Sequence, residues 1–291
     1  MRFAVSYSTP AYGTDPDRLL GYARHAEECG FEGLYLPEHV ALYPGARIGS
    51  FDLPPSLPYA DPLACLAFVA AGTSRILLGT AVLLLPYHHP VTLAKQLATL
   101  DVLSRGRMRL LTIGLGALPG EARAVGVDFA ARGRRADEAI QVLRLLWAGG
   151  EEGAGFEGEF FSFDGVCSFP KPLAAGGLPV HVGGSSRAAA RRAGRYGDGY
   201  FPGGALTPGE RAAQWEAVRS GAQAAGRDPD ALEYTRWGST ALSHERVADF
   251  AAQGVTRIVV APGGAEPAEQ HDELAAFAER FAVRDGVGTV G

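Results

Sequence analysis

Two short segments of this 291-residue chain carry side chains suited to chemistry, and each follows a run that reads as a buried strand. Pro37-Glu38-His39 comes directly after Gly33–Leu36. An imidazole there is suited to proton transfer near neutral pH, and the adjacent carboxylate can orient it or contact a ligand. The plainer alternative is that Glu38 pairs with a nearby arginine and His39 caps a loop. Gly183-Gly184-Ser185-Ser186 follows Pro179–Val182 and opens a helix. Glycines there let backbone N–H groups approach an anion, serine hydroxyls add donors, and the helix N-terminus favours negative charge, so a phosphate fits. The alternative is an ordinary glycine turn followed by a serine N-cap. Arg187, Arg191 and Arg195 then fall at i, i+4, i+8, a solvated face or an attractor for an anionic tail.

Other candidates carry less. His88-His89 suggests a metal, but adjacent histidines project in different directions and no third ligand stands at suitable spacing, so no metal site is expected. These residues instead shape the loop before a helix, with one ring facing a pocket. His181 lies inside a predicted strand and either lines a barrel interior or is a core histidine. Gly114-Leu115-Gly116-Ala117-Leu118-Pro119-Gly120 only superficially resembles a dinucleotide fingerprint, because its third glycine comes one place late. Cys29, Cys65 and Cys167 lack C-x-x-C spacing and read as structural thiols of a reducing compartment.

The elements that must position these groups alternate about eight times between an apolar run and an amphipathic helix, the pattern of a parallel (β/α)8 TIM barrel. Strands are predicted at Arg2–Tyr7, Gly33–Leu36, Ile76–Gly79, Arg109–Ile113, Pro179–Val182, Gly199–Phe201, Leu232–Trp237 and Arg257–Val260. Helices are predicted at Pro16–Cys29, Pro62–Gly72, Val91–Ser104, Gly133–Ala148, Ser185–Tyr196, Pro208–Ala225, Ser243–Gln253 and Pro267–Phe281. Ligands of such folds sit beyond the carboxyl ends of the strands, so Gly79–Val82, Tyr87–His89 and Gly114–Leu118 belong to the same rim. Two segments exceed a normal connection. Val40–Ala60, after the second strand, reads as a lid or pocket wall, and Gly149–Gly177, after the fourth helix, as an excursion holding a small hairpin. The expectation is one barrel domain over residues 1–291.

A formal net charge of −5 without a long basic block argues against nucleic acid or anionic membrane as the main partner and favours a small-molecule substrate. The longest apolar stretch, Ile76–Leu85, is far short of the roughly 20 residues that cross a bilayer. MRFAVSYSTP enters a strand without the profile of a signal peptide, which predicts a cytoplasmic protein.

As an ordered set, several motifs carry a resemblance: Pro37-Glu38-His39, Leu78-Gly79-Thr80-Ala81-Val82, Ala94-Lys95-Gln96-Leu97-Ala98-Thr99-Leu100-Asp101, Ser104-Arg105-Gly106-Arg107, Arg134-Arg135-Ala136-Asp137-Glu138, Val182-Gly183-Gly184-Ser185 and Gly197-Asp198-Gly199. Over roughly residues 1 to 205 the chain resembles the luciferase-like flavin superfamily, in particular its coenzyme F-420 (deazaflavin) branch. The resemblance implies a barrel with F-420 or FMN at its C-terminal mouth. The ring would lie against a bulge at Thr80, Ala81 and Val82, often with a non-prolyl cis peptide that maps to Ala81–Val82. Gly114, Gly116, His181 and Arg187 join the cofactor-binding set, Gly183, Gly184 and Ser185 hold the phosphate, and His39 stands at the reactive face with Glu38 beside it. One departure matters. Some deazaflavin dehydrogenases place a catalytic Glu just after the strand-four glycines, where this chain has Ala117-Leu118-Pro119, with Glu121 displaced. That speaks against a sugar-phosphate dehydrogenase.

The expected function is therefore a deazaflavin-dependent oxidoreductase that moves a hydride between F-420 and a small organic substrate, with homodimerisation implied by the resemblance. An FMN-dependent monooxygenase served by a partner flavin reductase is the first alternative. A non-catalytic deazaflavin-binding protein is the second.

Overall fold

The computed structural model describes residues 1–204 and 206–288. Eight parallel strands close a barrel in sequential order. They are β1 (Arg2–Ser6), β2 (Gly33–Leu36), β3 (Leu77–Leu84), β4 (Met108–Gly114), β5 (Val180–Gly183), β6 (Gly199–Phe201), β7 (Glu233–Ser239) and β8 (Arg257–Ala261). β1 closes the ring on β8, with Arg2 opposite Arg257 and Val5 opposite Val260. Eight helices form the outer layer: α1 (Pro16–Glu28), α2 (Pro62–Gly72), α3 (Pro90–Leu103), α4 (Arg132–Ala148), α5 (Arg187–Tyr196), α6 (Pro208–Ala224), α7 (His244–Ala252) and α8 (Pro267–Arg280).

Local chemistry sets the helix entries. Proline occupies the first turn of α1, α2, α3, α6 and α8, where its missing N–H costs no hydrogen bond. Asp15, Asp61, Ser186, Thr207 and Ser243 cap their helices by accepting a backbone N–H of the first turn. Strand side chains alternate between two environments. Val180 and Val182 of β5 pack outward into the helix layer, whereas Ala4, Tyr35, Leu110, Phe201 and Val259 fill the barrel interior.

β3 differs most from expectation. It continues five residues past Gly79, and its pairing with β4 slips between Ala81 and Leu83, because a bulge at Ala81–Val82 lets the strand turn without leaving the sheet. The two long connections each contain a hairpin outside the barrel. One pairs Arg47–Ile48 with Phe51–Asp52, and the other pairs Ala154–Glu157 with Ser162–Val166. No helix among the described residues is long and apolar enough to cross a membrane.

Candidate active site

The carboxyl ends of β2, β3, β4 and β5 surround a cavity of about 580 Å³. Its floor is the β3 bulge, where the Ala81–Val82 peptide is cis. The Val82 side chain points across the barrel end into space that only glycine leaves free. A Cβ at Gly114 or at Gly183 would lie 2.5 Å from a Val82 methyl. Both glycines are thus required by close approach rather than by backbone freedom. Gly116 and Ala117 extend the wall from β4, and Gly183, Gly184 and Ser185 form the wall from β5.

Glu38 and His39 both reach this cavity, yet they have opposite partners. Glu38 is 5% exposed and its two oxygens are engaged: one accepts the Leu84 N–H at 2.5 Å, the other meets His88 Nε2 at 2.9 Å. It clamps the far end of β3 and does not orient His39. That task falls to Glu121, on a short helix (Pro119–Ala124) after β4, whose carboxylate lies 3.1 Å from His39 Nδ1. Glu121 is fully buried and also accepts the Val40 N–H at 2.6 Å and the Ala41 N–H at 3.3 Å. The Tyr59 ring meets the imidazole edge to face at 4.7 Å.

At the β5 turn, Gly184 has φ +95°, a conformation natural to glycine. Ser186 is the N-cap of α5 and accepts the Ala189 N–H, so the capping reading applies to Ser186, while Ser185 lines the cavity. The remaining first-turn N–H groups of α5 have no partner inside the helix. Across the cavity, Arg132 stacks on Phe129 at 3.6 Å and donates Nε–H to the Gly116 carbonyl.

Three expected site residues stand elsewhere. Thr80 is fully buried and its hydroxyl donates to the Thr112 carbonyl at 2.9 Å while accepting the Thr112 N–H at 3.2 Å, bracing β3 against β4 just before the bulge. His181 belongs to the opposite, N-terminal end of the barrel. It shares an inward-facing row with Gly183 but sits two residues lower, roughly 6.6 Å along the strand, which takes it out of the cavity. Burial pushes its imidazole down to about 4, against the opposing effect of Glu233 at 3.4 Å. Arg187 is exposed on α5, with Arg191 and Arg195, and none of the three lines the cavity.

Residues that the sequence named only within longer segments, or not at all, complete the site. Ile48 and Tyr59, from the connection after β2, wall the cavity as that segment's position suggests, and Phe129 and Arg132 join them from the approach to α4. The Tyr87 hydroxyl packs against Gly116 with no hydrogen-bond partner among the described residues, and burial pushes its phenol up to about 12. No group of three or more His, Cys, Asp or Glu is arranged to hold a metal among the described residues.

A family model described as luciferase-like monooxygenase matches residues 1–284. The chain is 33% identical over 205 residues to an F-420-dependent glucose-6-phosphate dehydrogenase of Microbacterium testaceum, covering 69% of this chain and 56% of that protein. It is 35% identical over 219 residues to an F-420-dependent hydroxymycolic acid dehydrogenase of Mycobacterium tuberculosis, covering 74% of this chain and again 56% of the relative. The match thus spans just over half the length of these two curated relatives. Among solved structures, a monooxygenase from Streptomyces bottropensis superposes with a TM-score of 0.80 at 22% identity, over 97% of this chain and 99% of that one, a likeness of fold. With residues 1–284 matched by the family model, the protein belongs to the luciferase-like monooxygenase family.

Proposed function

We propose that the chain is an F-420-dependent oxidoreductase that transfers a hydride between the deazaflavin and a small organic substrate. The observation that carries this reading is the cradle at the barrel mouth. Gly114 and Gly183 admit Val82 so that a flat bulge faces the cavity, with His39 on one side and the open turn Gly183–Ser185 on the other. A planar ring with a phosphorylated side chain fits that arrangement: the ring rests on the bulge, and the phosphate meets backbone N–H groups and a hydroxyl at the N-terminus of α5. The F-420 dependence of the two curated relatives supports F-420 over FMN as the ring.

When bound, F-420 supplies the hydride acceptor or donor. The protein's own groups do the rest. His39 receives or returns the proton that accompanies the hydride, at a ring nitrogen facing the cavity. Glu38 and Thr80 act indirectly, holding the β3 end through Leu84 and Thr112. Apolar walls at Ile48, Leu115 and Phe129 limit water. Ala117 after the strand-four glycines keeps a sugar phosphate out of the favoured substrates. The same reading includes a homodimer, on the resemblance alone, and a cytoplasmic setting, on the unpaired thiols of Cys29, Cys65 and Cys167, and treats residues 1–291 as one barrel unit.

Side-by-side titration of the purified protein with F-420 and FMN tests the assignment. Saturable binding of F-420 in preference to FMN is expected. Preference for FMN would turn the reading towards a monooxygenase, and tight F-420 binding without hydride exchange to any alcohol or carbonyl compound towards a carrier.

A further inference from the structure

We infer that Glu121 is the positioning residue that sets the tautomer of His39, fixing its proton on Nδ1 and presenting a proton-accepting Nε2 to the cavity. The inference deepens the proposed function and relies on it only for the activity readout. One carboxylate oxygen of Glu121 is held by two backbone donors, Val40 N–H at 2.6 Å and Ala41 N–H at 3.3 Å. The other meets His39 Nδ1 at 3.1 Å, while the first lies 3.3 Å from the same nitrogen. An ionised carboxylate only accepts, so Nδ1 must be the donor, and in the neutral ring Nε2 then carries the lone pair. Complete burial of Glu121 and the Tyr59 ring at 4.7 Å leave the pair no competing water on that side and little rotational freedom.

The neighbouring pair shows why His39 rather than His88 is set up in this way. His88 turns Nε2 to Glu38, so the nitrogen that extends farthest from its backbone is already engaged. In His39 the engaged nitrogen is Nδ1, and Nε2 stays available. For oxidation of an alcohol the balance would be complete, with bound F-420 supplying the acceptor for the C–H electron pair as hydride. The O–H bond breaks with its proton going to Nε2, and the carbon–oxygen bond becomes a carbonyl. Reduction runs the same steps backwards. The acid that the strand-four loop lacks at position 117 is thus not replaced in kind, because Glu121 acts on the histidine and not on the substrate.

Glu121→Gln makes a sharp test. Val40 and Ala41 both donate, so the amide oxygen must stay with them, and the NH2 group is turned towards Nδ1. His39 then has to accept at Nδ1 and move its proton to Nε2, the wrong nitrogen for taking a proton from substrate. Nitrogen-15 NMR of histidine-labelled protein, with the His39 signals assigned by loss in His39→Gln, reads this without cofactor or substrate. The expected result is Nδ1–H in the wild type and Nε2–H in Glu121→Gln. With this goes at least about a tenfold loss of turnover, while cofactor affinity stays within a few fold. If Glu121→Gln fails to fold, the wild-type tautomer decides. Nε2–H in the wild type, or an unchanged tautomer and turnover in a folded Glu121→Gln protein, overturns the inference. A wild type with the expected tautomer that binds neither F-420 nor FMN overturns the functional reading and leaves the positioning role standing.

Discussion

The two ends of the barrel use the same residue types for opposite ends. At the N-terminal end, Arg257 is 1% exposed and bridges Glu32 at 2.5 Å and Glu233 at 2.6 Å, with Arg2 also on Glu233. Arg2, Arg257, Glu32 and Glu233 are thus spent on one another, and His181 lies against Glu233 with its pKa pushed down by burial. At the C-terminal end the carboxylates of Glu38 and Glu121 are spent on backbone N–H groups and on one histidine each. That leaves His39 oriented with a free nitrogen, and an open turn with unpaired N–H groups. A closed electrostatic network plugs one end, and an incomplete one makes a site of the other.

Breaking the plug should have the largest effect. Arg257→Ala leaves two carboxylates without their shared cation, and loss of one partner of a buried ion network typically costs about 3–5 kcal/mol. Chemical denaturation should show a loss of that size, with residual folded protein still binding cofactor. A loss under about 1 kcal/mol would mean that the network is not what holds the N-terminal end.

The pH dependence of stability comes next. The folded protein holds His181 at about 4, below the ordinary 6.5, so the unfolded chain takes up a proton that the folded one refuses. Stability from this residue is present above 6.5 and is lost as pH falls from 6.5 to 4, by up to roughly 3 kcal/mol. Urea midpoints measured across that window should fall with pH in the wild type and fall less in His181→Gln. Parallel curves for the two proteins would exclude His181 as the titrating group.

The open end should respond in rate rather than stability. His39→Ala is expected to lower turnover by at least about tenfold to a hundredfold while leaving cofactor affinity within a few fold, since acid–base groups typically contribute about 10²–10⁴-fold. Steady-state kinetics alongside a binding titration separates the two. Full activity would reduce His39 to a wall of the cavity.

How far the sequence reveals each end follows from the range of the contacts. The order of strands and helices is legible because it rests on local periodicity, and the rim segments are legible because parallel folds place ligands beyond strand ends. The shape of the β3 end is not, since the path of Val82 depends on space left by Gly114 and Gly183 on two other strands. Glu121 lies 82 residues from His39 in sequence, with no spacing rule to join them. His181 misleads for a different reason: strand alternation gives it the same face as Gly183, but alternation does not tell which layer of the barrel it occupies. Arg187 occupies the first turn of the right helix, yet the side of α5 that faces the barrel is set by Ala189 and Ala190, both buried.

The central claim is that the β5 turn receives the cofactor's phosphate, and calorimetric titration of F-420 into wild type, Gly184→Asp and Arg187→Ala addresses it most directly. Asp at position 184 adds a side chain at φ +95° and a carboxylate where the phosphate should sit, so affinity should fall by about tenfold or more in a protein that still folds. Arg187→Ala, on the solvent face, should bind within about twofold of the wild type. Wild-type affinity in folded Gly184→Asp would contradict the claim and place the phosphate elsewhere on the rim.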